Sequence, residues 1–414
     1  MNAPSARKPL ISLNDALGQL LGALSDHAPV LETVSTFDAD GRVLAQDVVS
    51  ALQVPPQDNS SMDGYALRVA ECVPGAVLPV SQRIAAGASG APLTAGTVAR
   101  IFTGAPIPVG ADAVVMQEDC TESGTDKHPA IVVNAAPPLG QWIRRQGEDV
   151  AAGQCVLPAG QRLGPSGLGM AASVGMAHLQ VARRPRVALF STGDELVMPG
   201  ERAPADMPPG AIYNSNRFFL ASLLRRMGCE VTDLGIVPDR LDATVAALRS
   251  AAQAHDVILT SGGVSVGEED HIKPAVQALG TLDLWQIAIK PGKPFAHGRL
   301  GAAHFLGLPG NPVSSFMTFL LLVRPFLLRM QGASEVAMPA QTLRADFAWP
   351  RADRRQEFLR ARRNVSGGLD LFPNQSSGVL SSVVWGDGFI DNPPGKTIAP
   401  GDLVSFVAFN ELLA

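Results

Sequence analysis

D-V-I-L-T-S-G-G-V-S-V-G-E-E-D, residues 256–270, carries a short apolar run into a glycine- and serine-rich turn that ends on carboxylates. Asp256–Thr260 has the length and β-branched content of a buried strand. The turn after it predicts a helix beginning near Asp270. On the amino-terminal side, the apolar run R-V-A-L-F at 186–190 ends in S-T-G-D-E-L. Asn216–Met227 then has helical spacing, Cys229–Val237 reads as a strand, and Leu241–Ala254 as a second helix. On the carboxyl side, Leu282–Ile289 and Ala303–Leu308 read as strands and Asn311–Met330 as a long helix. Strands alternating with helices of this length predict a doubly wound, mostly parallel sheet covered on both faces. Ligands of such sheets bind beyond the carboxyl ends of the strands. The polar motifs of this region fall there: S-T-G-D-E-L, V-P-D, S-G-G-V-S-V-G-E-E-D, K-P-G-K-P and P-G-N-P.

The rest of the chain has other textures. Residues 12–24 predict a helix capped by Ser12, with Leu13, Ala16, Leu17, Leu20, Leu21 and Leu24 on one stripe. From Val54 to about Gly140, short apolar runs (Val77–Val80, Val98–Phe102, Ala113–Met116, Ala130–Val133) alternate with Pro, Gly and Asp, as in a mostly-β unit. The expected organisation is α/β multidomain. A discontinuous first unit (10–52 plus 145–184) carries an inserted mostly-β unit (53–144); the α/β unit (185–330) and a small β unit (336–414) follow.

Composition sets limits. The 414 residues are 46% hydrophobic and 17% charged, enough apolar material for two to four packed domains. A formal net charge of −5 argues against a general nucleic-acid binder. The four cysteines (Cys72, Cys120, Cys155, Cys229) form no C-x-x-C pair, which suits a reducing, cytoplasmic setting and no disulfide frame. The most apolar stretch, Phe316–Leu328, is interrupted by Arg324 and Pro325; it is too short for a membrane span and reads as a buried helix. No apolar targeting segment opens the chain.

Four constellations bear on chemistry. In 261–270, Gly262, Gly263 and Gly267 let the backbone approach an anion, and Ser261 and Ser265 add hydroxyl donors; a plain tight turn is the structural alternative. Glu195, Asp239 and Asp270 end three separate strands and have the oxygen chemistry of a Mg²⁺ site, while Asp239 and Asp270 are equally placed to be helix caps. Lys290 and Lys293 flank Pro291-Gly292 on a stiff turn suited to a tetrahedral oxyanion. Pro309-Gly310-Asn311-Pro312 opens the long helix, with Asn311 as cap and Pro312 in the first turn, and Ser314 beside its exposed N–H groups. Asp63 and Thr103 by themselves read as turn residues. Gly167–Ala172 fits a dinucleotide fingerprint in letters only, because no clear strand precedes it. No persuasive Ser-His-Asp grouping emerges.

Taken together, M-D-G-Y-A at 62–66, F-T-G-A-P-I-P-V-G-A-D-A-V-V at 102–115, G-E-D-V at 147–150, S-T-G-D-E-L at 191–196, S-G-G-V-S-V-G-E-E-D at 261–270, K-P-G-K-P-F at 290–295 and L-P-G-N-P-V-S at 308–314 resemble the molybdopterin molybdenumtransferase family. They are also similar to the E domain of gephyrin. The resemblance spans nearly the whole chain from about residue 10. It implies an elongated homodimer with an active site shared between subunits, and a reaction in which adenylylated molybdopterin and molybdate give molybdenum cofactor and AMP with Mg²⁺. It implies metal and substrate handling by Glu195, Asp239 and Asp270. Asp63, Thr103 and Asp149 would be further active-site positions, the first two from the other subunit. Pterin contacts would come from Ser261, Gly262, Gly263, Ser265, Gly267, Pro309, Asn311 and Pro312. A molybdate pocket would use Lys290, Lys293, Ser314, Arg360 and Ser381. Further partners would be the adenylylating enzyme and the apo-molybdoenzymes or their chaperones, with no nucleic acid and no membrane. The neighbouring alternatives are a molybdopterin adenylyltransferase and a non-catalytic molybdopterin-binding scaffold.

Overall fold

The computed structural model describes residues 10–264 and 271–413. The first helix, Leu13–Gly22, is capped by Ser12, whose Oγ accepts from Asp15 N at 3.1 Å. Its stripe buries Leu13, Ala16 and Leu20 against the end of the long helix. Next, Leu31–Ser35 pairs antiparallel with His178–Ala182, and Val48–Val49 with Cys155–Leu157. The strands on either side of the intervening segment therefore lie together. Within that segment a separate sheet runs in the order 113–116, 64–67, 98–101, 77–84, 128–133, 120–125.

The α/β sheet has the order 230–237, 186–192, 257–261, 303–308, 294–300, 281–286. The first four strands are parallel, 294–300 is antiparallel to both its neighbours, and 281–286 closes the edge. In the strand Arg186–Thr192, Val187 and Leu189 face one core while Ala188 and Phe190 face the other. Burial on both faces explains why the strand reads as a continuous apolar run. Ser215–Arg226 and the 312–330 helix cover one face with the first helix; Leu241–Ala254 and Ile272–Leu279 cover the other.

Two expectations need correction here. Leu282–Ile289 is not one strand. Thr281–Gln286 belongs to the α/β sheet, whereas Ile289–Lys290 pairs in parallel with Gln356–Glu357 and is the edge of the carboxyl-terminal sheet. Pro291-Gly292 breaks the run before the chain turns back. Pro294–Leu300, missed by the sequence reading, is a full strand making a hairpin with Ala303–Leu308 across Gly301 at φ +62°.

The long helix is α-helical over Pro312–Thr318 and Arg324–Met330, with a wider π turn at Phe319–Val323. Pro325 has no N–H for the preceding turn, and the π turn absorbs that loss. Arg324 is buried and donates to the carbonyls of Leu412 and Val336, both at 3.1 Å. Burial pulls its pKa down to about 10. Pro312–Met330 is long and apolar enough to cross a membrane, but 94% of its apolar window is buried inside the fold. The last sheet runs 289–290, 356–363, 388–392, 403–408, 341–344, with 369–371 beside 356–363.

Candidate functional site

Four parallel strands end on one side of the α/β sheet, and the loops that follow them line a cleft of ≈ 800 Å³. Its walls bring together Glu195, Asp239, Ser261, Gly262, Gly263, Pro309, Asn311, Pro312 and Ser314. Gly378 and Leu380 of the carboxyl-terminal unit close one side. Ser265, Gly267 and Asp270 lie outside the described residues.

The glycine turn is a steric requirement. Gly262 and Gly263 have φ of +93° and +67°, and a Cβ on Gly263 would lie 2.4 Å from Ile272 Cγ1 and 2.9 Å from Thr192 Oγ1. Only glycine takes that backbone there without strain. Beside it, Asn216 is buried, and its Nδ2 donates to Ser261 Oγ at 2.8 Å and to the Gly310 carbonyl at 2.7 Å. One side chain thus ties the ends of two strands. Because Ser261 Oγ accepts, its own proton remains to be donated. Asn214 caps the Ser215–Arg226 helix through its oxygen, while its buried Nδ2 has no partner among the described residues. The sequence reading missed both asparagines. The polar run Y-N-S-N at 213–216 was their only signal, and it reads equally as a helix start.

Glu195 and Asp239 are the acidic groups of the cleft, and neither side chain has a hydrogen bond or ion pair among the described residues. Glu195 folds over Gly193, where a Cβ would lie 2.5 Å from its Oε2. Asp239 is not a helix cap, because Arg240 takes the N-cap position of Leu241–Ala254. Asn311 does sit at an N-cap, yet its side chain makes no capping bond; Val313 N donates instead to the Ser377 carbonyl at 2.9 Å. The carboxyl-terminal loop therefore caps the helix that bears Ser314. Among the described residues no group of three or more His, Cys, Asp or Glu is placed to hold a metal. Two oxygen-donor side chains in one polar cleft still fit Mg²⁺, which is bound through one or two carboxylates together with water and substrate phosphate.

None of the basic candidates, Lys290, Lys293 and Arg360, lines this cleft. Lys290 Nζ is 3.0 Å from Glu357 Oε1 and 3.5 Å from Asp353 Oδ2, so its charge is already met. Lys293 is exposed, and Pro294 after it lines the cleft. Gly292 packs on the helix of Ser314, where a Cβ would lie 2.5 Å from Thr318 Oγ1. Arg360 is fully buried. Its guanidinium donates to Ser382 Oγ (3.1 Å) and the Phe358 carbonyl (2.9 Å), and burial lowers its pKa to about 10. Gln375 holds the Arg360 backbone at both N and O. These bonds anchor the loop that closes the cleft. Ser381 is exposed; its neighbour Ser382 is the buried serine that meets Arg360.

The remaining candidates sit elsewhere. Asp63 and Thr103 form one unit: Thr103 N and Oγ1 donate to Asp63 Oδ1 at 2.8 and 2.7 Å, which holds that carboxyl below its usual range. Both are exposed, as is Asp149, whose N–H donates to the Val54 carbonyl at 3.0 Å. None of the three lines the cleft. Residues 263–267 also spell G-x-S-x-G, but the next helix starts at Ile272 and no histidine lines the cleft among the described residues, so a nucleophile elbow is not supported.

Known proteins match along most of the chain. Family models match in series: "MoeA N-terminal region (domain I and II)" over residues 11–175, "Probable molybdopterin binding domain" over 188–329, and "MoeA C-terminal region (domain IV)" over 342–409. A protein of Haemophilus influenzae called molybdopterin molybdenumtransferase is 37% identical over 98% of this chain and 100% of its own length. One of the same description from Synechococcus elongatus is 37% identical over 91% of this chain and 93% of its own. The crystal structure of the molybdopterin biosynthesis moeA protein of Pyrococcus horikoshii superposes with a TM-score of 0.81 at 28% identity, covering 97% of this chain and 100% of that one.

Proposed function

The chain belongs to the molybdopterin molybdenumtransferase family, and from that premise we propose that it transfers molybdenum from molybdate to adenylylated molybdopterin, releasing AMP. The observation that carries this reading is the pair of carboxylates Glu195 and Asp239, unpartnered among the described residues, sharing one cleft with a glycine turn and the serines Ser261 and Ser314.

The Gly262–Gly263 turn and the Ser261 hydroxyl donate to the phosphate end of the pterin substrate. Ser265 and Gly267 would add pterin contacts from the sequence that follows it, and Pro309, Asn311 and Pro312 line the cleft beside it. Ser314 and Lys293, backed by Lys290, Arg360 and Ser381, hold the tetrahedral dianion; hydroxyl and cationic donors suit its charge and shape. Glu195 and Asp239, with Asp270, would hold Mg²⁺, which when bound neutralises phosphate charge as a leaving group departs. Holding the two substrates side by side gives the reaction its effective concentration. Asp63 and Thr103 of a second subunit, together with Asp149, complete the site in a homodimer. The four-unit division of the chain and operation in the cytoplasm belong to the same proposal.

The test is AMP release from adenylylated molybdopterin by the purified protein. Release is expected to require molybdate and to fall away in Glu195→Gln and Asp239→Asn. Release that ignores molybdate and survives both substitutions sinks the reading, and consumption of ATP in place of the adenylylated substrate assigns the chain to the preceding step.

A further inference from the structure

Three neighbouring strands of the inserted sheet put Arg83, Arg100 and Tyr65 side by side: Arg83 is the register partner of Arg100, and Arg100 that of Tyr65. Phe102 stands just past the end of the middle strand, and Thr103, bonded to Asp63, follows it. Both guanidiniums lie over the Phe102 ring, Arg83 at 4.5 Å and Arg100 at 4.7 Å from its centroid. Arg100 is also 5.1 Å from the centroid of Tyr65.

Two cations in register on adjacent strands repel, which costs stability unless a counter-charge meets them. Neither forms an ion pair among the described residues. Arg83 is exposed, and its side chain makes no hydrogen bond there. Arg100 is half-buried and donates to two neutral oxygens, the Gly64 carbonyl at 3.0 Å and Gln117 Oε1. Asp63 is near enough for Arg100 to help lower its pKa, after the two Thr103 bonds, yet the two are not paired. Packing on Phe102 accounts for one guanidinium. It does not account for a second like charge brought to the same ring from the next strand. The ring and the neutral acceptors orient these groups without cancelling their charge. Neither arginine lines the cleft of its own chain.

We propose that Arg83 and Arg100 bind the phosphate linkage of the adenylylated substrate in the cleft of a second subunit, beside Asp63 and Thr103. The inference rests on the shared-site reading given above, and it supplies cations to a phosphate group that Glu195 and Asp239 otherwise face with negative charge. Planar guanidiniums suit phosphate oxygens. Their contacts are made to bound substrate, so they act on KM more than on kcat.

Arg83→Gln/Arg100→Gln should raise the KM for adenylylated molybdopterin about tenfold or more, the loss of one charge-assisted hydrogen bond, and leave the KM for molybdate unchanged. Arg83→Lys/Arg100→Lys keeps the charge without the planar fork and should fall between this variant and the wild type. The melting temperature of each checks the fold. The second arm mixes subunits. Arg83→Gln/Arg100→Gln chains are co-expressed with Glu195→Gln chains, and mixed dimers are isolated through two tags. If the arginines serve the partner's cleft, one site of each mixed dimer carries no substitution, and about half of the wild-type rate at low substrate returns. An unchanged KM in the Gln variant, or mixed dimers no more active than that variant alone, would overturn the inference while molybdate-dependent AMP release by the wild-type chain stands. A wild-type chain without that release overturns the reading beneath it and the inference with it.

Discussion

Asp63 and the Glu195–Asp239 pair are carboxylates placed on loops, and they are treated in opposite ways. Asp63 has an oxygen taken up by both the N–H and the hydroxyl of Thr103, 40 residues away. Glu195 and Asp239 have no such partners among the described residues, although the groups around them are packed and hydrogen-bonded, as Asn216 and Ser261 are. A carboxylate with its oxygens filled orders a loop. One left bare in a polar cleft is available to a cation or a donor that arrives later.

The strongest way to break this contrast is to remove the bare charges. Glu195→Gln and Asp239→Asn should each lower the molybdate-dependent rate by about 10²-fold or more, the scale seen when a preorganised electrostatic group is lost. Melting temperature should not move, because neither carboxylate bonds to another group among the described residues. A stability loss with the rate intact would reverse the assignment. Next in size is Gly263→Ala. Its φ of +67° and the 2.4 Å approach to Ile272 Cγ1 predict a cost of about 1–3 kcal/mol in urea unfolding, with a parallel loss of substrate affinity. Asn216→Ala should cost about 1 kcal/mol, since it takes a donor from the buried Ser261 hydroxyl and from the part-buried Gly310 carbonyl. A double-mutant cycle with Ser261→Ala would measure the coupling.

The smallest effect sharpens the other side of the comparison. Thr103→Val removes one of the two donors to Asp63 and keeps the backbone one. The Asp63 carboxyl should then move back toward its ordinary value of 3.8, read by NMR titration. Its pKa in the folded chain is depressed, so its contribution is present above the ordinary carboxylate pKa and disappears as pH falls through the lowered one. The variant should therefore keep less of that contribution at neutral pH, and the stability it loses between neutral and acid pH should be smaller than in the wild type.

The parallel sheet was legible because its strands are buried on both faces and its motifs sit at strand ends. What escaped was decided by tertiary pairing. Pro294–Leu300 starts at a proline and carries His297 and Arg299, so it lacks an apolar strand's pattern; His297 is nevertheless buried, against His304. Spacing gave no hint that Asp63 would meet Thr103. Lys290 looked like a free cation because Glu357, which meets it, is 67 residues further on. For the same reason the choice of Ser381 passed over its buried neighbour: which serine of the pair turns inward depends on the helix that begins there.

The two-residue excursion of Ile289–Lys290 into the last sheet has an evolutionary reading. A crossover between relatives placed in residues 331–340, which link the long helix to the last sheet, would swap five strands of that sheet but leave its edge behind, donated by the other parent. Chimeras cut at that linker should then be sensitive to mismatch at 289–290 and 356–357, and exchanging both segments together should restore them. The closing unit is sewn to its neighbour, so the two are inherited as a matched pair rather than as interchangeable modules.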